Sequence, residues 1–380
     1  MSTRIYLDHN ATTPLRPEAA AAIGEAMHTC GNPSSVHAAG RRARGIIEDA
    51  REEVGAGRSN ARRGGLHRRR HRSQCAGAAR RWPAATSAVE HASSPPRPTS
   101  AQRSRLIVTG IVHLDALDAL LAAAAEPALV SVMAANNETR VIKPIAEVAA
   151  VCRALLPHCD AARRGRIPLG LPGDGRPTAV HVGAQAPGPA VGALVVDASL
   201  PLQPLLRGGG QERGRRAGTE NLLGIAGFGA AAARASTLPD AARLTLLRDR
   251  LERRLRAVCP SAQVFGATTP RLPNTTCIAM PGVAAETQVI AFDLAGIAVS
   301  AGAACSSGRV ARSDVLAAMG VGDDLASSAL RVSLGWTTGE ADVEQFLEVW
   351  ISIYARMADR RPALAAGGTT TAIYGAVSER

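Results

Sequence analysis

Helical periodicity alternating with short apolar runs is what most limits the folds open to this chain. Apolar residues recur at spacings of three and four over 17–29, 40–55, 115–126, 144–156, 239–258, 284–295 and 339–359, which predicts amphipathic helices there. Between them lie ALVSVMA (128–134), GALVVD (192–197), TTCIAM (275–280), IAVS (297–300) and RVSLG (331–335), short runs that read as strands. Helices alternating with short buried strands indicate an α/β protein with a largely parallel sheet. A long charged helix begins near residue 237 and marks the entry to a second unit. The expected organisation is a large domain over 1–236 and a smaller one over 237–361, with residues 1–15 associated with the smaller. Residues 362–380 are small and polar, and read as a loose tail.

At 380 residues the chain is long enough for two packed domains. Hydrophobic residues make up 46%, and no apolar run reaches the roughly 18 residues a membrane span needs. The N-terminus lacks the basic-then-apolar layout of a secretory signal. Seven cysteines are scattered without a CxxC pair, which argues against a disulfide framework or a metal site and fits free thiols in a reducing cytoplasm.

The net charge of +12 is unevenly placed. Residues 57–105 hold 12 arginines and one acid, Glu90, so that window carries +11 and the rest is nearly neutral. The chain has one lysine, Lys143, and the basic block has one aromatic, Trp82. A nucleic-acid face mixes Lys with Arg and interleaves aromatics, so no nucleic-acid partner is expected. The stretches 57–105 and 163–190 are rich in Arg, Pro and Gly and follow neither period. Irregular inserts of that length sit badly inside a compact domain.

The segment VSAGAACSSGR (299–309) places Cys305 among small residues. Such a composition suits an accessible loop from which a thiolate reaches a substrate. A small buried cysteine in a tight turn is the other reading.

YLDHNATTPLRPEA (6–19) followed by GNPSSVHAAGRRAR (31–44) resembles the N-terminus of the cysteine desulfurases, pyridoxal-phosphate (PLP) enzymes of the aspartate-aminotransferase fold (fold type I). SAVEH (87–91), AANNET (134–139), HCDA (158–161), RGGGQERGRRAGTEN (207–221), SAGAACSSG (300–308) and ALRVSLG (329–335) resemble further family segments in family order. The resemblance implies removal of sulfur from L-cysteine to leave L-alanine, with a persulfide on Cys305. It implies that Asp160 holds the pyridine nitrogen protonated and that His91 stacks on the ring. Asn137 would contact the cofactor oxygen and the substrate carboxylate region, and Arg331 would pair with that carboxylate.

Thr219 would reach the phosphate of a second subunit's cofactor, which implies a homodimer. Each residue also has an ordinary reading: Asp160 a surface or capping residue, His91 a structural histidine, Asn137 a turn former, Thr219 a helix N-cap and Arg331 a surface arginine. Asn10 and His37 match N-terminal loops near the pocket. The implied partners are L-cysteine and a sulfur-acceptor or Fe–S scaffold protein, in the cytoplasm. A selenocysteine lyase or a catalytically inactive homologue are the alternatives.

The departures fall in the irregular stretches. The family has a lysine in a Ser-Ala-His-Lys segment just before a Gly-Val-Gly-Ala-Leu strand, whereas HVGAQAPGP (181–189) contains none; the lysine is expected near Gln185. Encoded GTC GGC GCA CAA GCT CCG, Val182–Pro187 read one nucleotide later give Ser-Ala-His-Lys-Leu. Likewise GLHRRRHRSQCAGAAR (65–80) can be encoded so that the neighbouring frame reads Ala-Phe-Thr-Ala-Gly-Gly-Thr-Glu-Ala-Asn-Ala-Leu-Ala-Leu-Arg. That string contains the family's phosphate-cradling turn. Residues of about 57–85 and 170–190 are therefore expected to be translated out of frame. Arg163 stands where the family has Gln, Lys143 lies in a loop where it also has Gln, and Arg140 replaces a Gly, with strain if that position needs φ > 0.

Overall fold

The computed structural model describes residues 4–56, 64–68, 84–86, 107–108, 110–123, 129–155, 160–162, 179–182, 191–196, 204, 206–236, 240–302 and 313–366. The first half comprises β1 (Ile5–Tyr6), α1 (Pro17–Met27), α2 (Ala38–Ala56), β2 (Gly64–Arg68), β3 (Ala84–Thr86), β4 (Ile107–Val108), β5 (Ile111–Val112), α3 (Leu114–Ala122), β6 (Leu129–Ser131), α4 (Ile145–Leu155), β7 (Asp160–Ala162), β8 (Ala179–Val182) and β9 (Val191–Val196). After a 3-10 turn come α5 (Leu222–Ser236), α6 (Asp240–Val258), β10 (Gln263–Val264), β11 (Thr275–Ala279), α7 (Ala285–Leu294), β12 (Ile297–Ala298), β13 (Ser300–Ala301), α8 (Asp314–Ala318), α9 (Asp323–Ser327), β14 (Ala329–Ser333) and α10 (Glu340–Ala366). The last helix runs on into the stretch that composition marks as a tail.

The mixture is α/β. Strands β3, β6 and β7 pair in parallel in that order, and Val130 of β6 shares a core with Leu117 and Leu121 of α3 and Ile145 and Val148 of α4. A second sheet has the order β2-β9-β8, antiparallel at both joins, and packs Val191 and Ala193 against Ile47 and Ala50 of α2 and Ile225 and Phe228 of α5. A third, antiparallel sheet has the order β10-β11-β14-β13. Its two middle strands are buried along their whole length.

Leu244, Leu247, Leu251 and Leu255 of α6 recur at helical spacing and are all buried. They join Ile278, Leu330, Phe292, Phe346 and Trp350 in the largest core. Phe292 and Phe346 stack with centroids 4.6 Å apart, and both are fully buried. Phe346→Ala is expected to cost about 3–5 kcal/mol, because the transfer energy is lost and the cavity only partly collapses. Chemical denaturation checks it.

The N-terminus belongs to this same core. β1 pairs in parallel with β12, Leu7 N–H donates to Ala298 at 2.9 Å, and Ser333 N–H donates to the Leu7 carbonyl at 2.8 Å. Ile5 and Leu7 are buried among α6, α7 and α10 residues.

Two local readings of the sequence needed revision. The apolar run 297–300 serves two sheets, since β12 pairs with β1 and β13 with β14. Helix α5 was not among the expected helices, because its Gly- and Ala-rich composition (LLGIAGFGAAAARAS) blurs the apolar stripe. Those small residues have a packing reason. A Cβ on Gly229 would lie 2.7 Å from Ala50 Cα, and one on Gly224 would lie 2.5 Å from Val191, so α2 and β9 approach closer than any larger side chain permits.

Candidate active site

The site is built where three segments meet: residues 8–10 following β1, the turn 136–140, and Arg331 in β14. The turn is made by Asn136, whose Oδ1 accepts from the Glu138 N–H at 2.8 Å, the Thr139 N–H at 2.9 Å and Thr139 Oγ1 at 3.2 Å. A side-chain oxygen that closes its own backbone in this way is a turn former. The turn-former reading raised for Asn137 therefore belongs to its neighbour.

Arg140 closes the turn with φ of 60°, the left-handed conformation in which a Cβ is disfavoured. The position does need φ > 0, and an arginine occupies it. The side chain is buried, and its Nη2 donates to Asn10 Oδ1.

Asn10 ties the segments together. Its Nδ2 donates to Thr275 Oγ1 at 3.0 Å and to the Asn137 carbonyl at 3.5 Å, Asn274 Nδ2 donates to its Oδ1 at 3.3 Å, and its own N–H donates to Ser333 Oγ at 3.0 Å. The His9 ring beside it shares a hydrogen bond with Thr13 Oγ1 at 2.8 Å and lies close against Gly335. A Cβ on Gly335 would fall 2.0 Å from His9 Nδ1. Gly335→Ala is expected to displace His9 and cost about 1–3 kcal/mol of stability, readable as a lowered unfolding midpoint.

Arg331 is 2% exposed. Its Nη2 pairs with Asp8 Oδ1 at 2.8 Å and its Nη1 donates to the Asn137 carbonyl at 3.2 Å. Among the described residues its Nε has no acceptor and the buried Asn137 Oδ1 has no donor. A buried donor and a buried acceptor left open each carry a desolvation penalty. They suit a ligand that brings both a carboxylate and a hydrogen-bond donor. The surface reading of Arg331 is excluded by its burial.

Around this pair the electrostatics are set by burial. Desolvation raises the Glu138 carboxyl above its ordinary range, opposed by the Ser313 hydroxyl bond and by Arg331 and aided by Asp314. Burial likewise pushes the Cys277 thiol far up, with Glu138 adding to the effect. Cys277 sits opposite Arg331 in the β11–β14 register and is held as a neutral thiol.

The remaining sequence candidates are placed unevenly. Asp160 is the first residue of β7, paired with Leu129 of β6. Thr219 is exposed, and the cap of α5 is Asn221, whose Oδ1 accepts from the Gly224 N–H at 3.2 Å. His37 is exposed and its Nδ1 accepts from the Gly40 N–H at 3.2 Å. Cys305, His91 and Gln185 lie outside the described residues, as do most of the two stretches expected to be out of frame. Lys143 is buried, with its N–H donating to the Ala134 carbonyl at 2.9 Å. Asp8, Glu138, Ser300 and Ser313 were not singled out from sequence. Asp8, Glu138 and Ser300 stood in quoted motifs without being assigned a role, and Ser313 gave no periodic or motif signal.

Residues 100–346 match the aminotransferase class-V family. The chain is 40% identical over 367 residues to a cysteine desulfurase of Cereibacter sphaeroides, covering 91% of this chain and 94% of that protein. It is 36% identical over 402 residues to an IscS-like cysteine desulfurase of Mycobacterium tuberculosis, covering 96% and 99%. Among solved structures, a NifS-like protein from Rickettsia africae superposes with a TM-score of 0.80 at 31% identity, covering 93% of this chain and 99% of that one.

Proposed function

Because this chain belongs to the cysteine desulfurase family of class-V aminotransferases, we propose that Arg331 and Asn137 form the amino-acid-binding end of its active site and Cys305 the thiol that receives sulfur. The observation that carries this reading is the pair of open, buried atoms, Arg331 Nε and Asn137 Oδ1. A guanidinium held from both sides by Asp8 and a backbone carbonyl is oriented in advance for a carboxylate. The net reaction converts L-cysteine and the enzyme thiol into L-alanine and an enzyme persulfide. The substrate C–S bond breaks, an S–S bond forms at Cys305, and a proton is placed on the substrate Cβ. The relatives are cysteine desulfurases, which gives the selenocysteine lyase alternative no support.

The family's cofactor is pyridoxal phosphate, which supplies an electron sink for charge developing at the substrate Cα. The residues here fit it incompletely. Asn137 offers an open amide oxygen, and Asp160, His91 and Thr219 are the residues we assign to the ring and phosphate. The amine that should tether the cofactor is missing, since 183–190 contains no lysine and the chain's only lysine, Lys143, stands in the turn before α4. We attribute this, and the loss of the phosphate turn near 65–80, to two shifts of reading frame. The enzyme encoded by the neighbouring frame is then the complete desulfurase.

The same reading makes the protein a homodimer that hands sulfur to an acceptor or Fe–S scaffold protein in the cytoplasm. No helix among the described residues is long and apolar enough to cross a membrane. The test is persulfide labelling of the frame-restored protein after incubation with L-cysteine. Label is expected on Cys305 and lost in Cys305→Ser; label retained in that variant would move the role to another thiol.

A further inference from the structure

Glu212 and Arg213 are consecutive residues that carry side chains yet hold left-handed backbone, with φ of 51° and 58°. They stand inside the short turn Gln211–Gly214. A Cβ disfavours that conformation, and two such residues in a row persist only where their surroundings over-determine them. What holds them is an ion pair. Glu212 is buried, and its Oε2 accepts from Arg51 Nη2 at 3.1 Å, with side-chain exposures of 2% and 16%. Arg51 Nη1 is braced in turn on Glu48, one turn back along α2. The assignments above leave this pair without a role.

The pair closes a ring of contacts around Thr219. The loop 206–217 is shut at its base by the Ala217 N–H, which donates to the Leu206 carbonyl at 3.0 Å. Glu212 stands between those ends and fastens the loop to α2. Thr219 comes just past the base, and Asn221 follows as the cap of α5. Helix α5 returns to α2 through the close approach of Gly229 to Ala50. Thr219 therefore lies on a short span whose two ends, Ala217 and Asn221, are both tied back to α2.

Resting on the assignment of Thr219 to a cofactor phosphate, we propose that Arg51 and Glu212 are positioning residues: their ion pair holds the strained turn against α2 and so fixes where Thr219 is presented. Neither side chain touches the phosphate in this role. Without the pair, residues 212 and 213 relax toward ordinary backbone and the loop opens away from α2.

Limited trypsin digestion of the native full-length chain, followed site by site by mass spectrometry, reads the loop itself. Cleavage after Arg215 and Arg216 reports its opening. Cleavage after Arg4, whose side chain is 75% exposed, is the internal standard. Arg51→Ala and Glu212→Ala are each expected to raise the loop-to-standard ratio by about tenfold or more, because breaking a buried pair strands one charge, and the double variant no further. Arg213→Gly removes one of the two disfavoured residues and leaves the pair intact. It is expected to lower the ratio by about threefold and to recover part of the effect of Glu212→Ala. Arg51→Ala and Arg213→Gly keep the comparison open if Glu212→Ala does not fold.

In the frame-restored protein, absorbance titration with pyridoxal phosphate is expected to show affinity weakened by about tenfold in both Glu212→Ala and Thr219→Ala, the scale of one hydrogen bond to a charged group. Unchanged cleavage ratios in the alanine variants overturn the proposal, as does a rise that the Arg4 site shares. Full affinity in Glu212→Ala beside a loss in Thr219→Ala overturns it too. If Thr219→Ala also kept full affinity, the phosphate assignment would fail while the cleavage ratios held.

Discussion

Incubated with pyridoxal phosphate and reduced with borohydride, the polypeptide as written is expected to retain no cofactor within 183–190 and to release no alanine from L-cysteine. Borohydride fixes only an imine to a primary amine, and HVGAQAPGP (181–189) offers none. Lys143 is a poor substitute because it is buried in the turn before α4, with its backbone committed to Ala134. Restoring both frames is expected to return the visible cofactor band and to raise alanine release by at least about 10²-fold, the lower scale for recovering a catalytic group that handles protons at the reacting centre. An adduct on Lys143 accompanied by alanine release would show that another amine does the work.

The second large effect is expected at Arg331 in the frame-restored enzyme. Arg331→Ala should lower kcat/KM for L-cysteine by about 10²–10³-fold, the range for truncating one partner of a buried, hydrogen-bonded charge pair. Arg331→Lys should recover little of it. The guanidinium already spends Nη2 on Asp8 and Nη1 on the Asn137 carbonyl, and an ammonium cannot serve both while presenting a third donor in the same plane. Steady-state kinetics check this, and an unaltered kcat/KM in the lysine variant would remove Arg331 from carboxylate recognition.

Much of this architecture was legible before the structure, for identifiable reasons. Helices α6 and α10 announce themselves because leucine and aromatic residues recur at helical spacing against a charged face. Strands β11 and β14 do so because they are buried along their whole length and carry short runs rich in apolar and β-branched residues, with Arg331 the charged exception. Arg140 was legible as a conflict: a residue with a Cβ where φ is 60°.

Other features had no sequence signal to find. α5 hid because close packing against Ala50 and Val191 demands glycine, and glycine erases the periodic stripe. The contacts that build the site join Asp8 to Arg331, Glu138 to Ser313 and Asp8 to Ser300 across 323, 175 and 292 residues of chain. No local spacing encodes a pairing at such a distance. Arg331 apart, each partner taken alone is an ordinary acid or hydroxyl.

We propose that the chain is a cysteine desulfurase whose tethering lysine and phosphate turn have been displaced by two changes of frame. Resequencing the gene across the codons for residues 57–85 and 170–190 tests it most directly. The frame one nucleotide over is expected to encode Gly-Gly-Thr-Glu-Ala-Asn in the first stretch and Ser-Ala-His-Lys ahead of β9 in the second. Codons that cannot encode those strings in the neighbouring frame would contradict it.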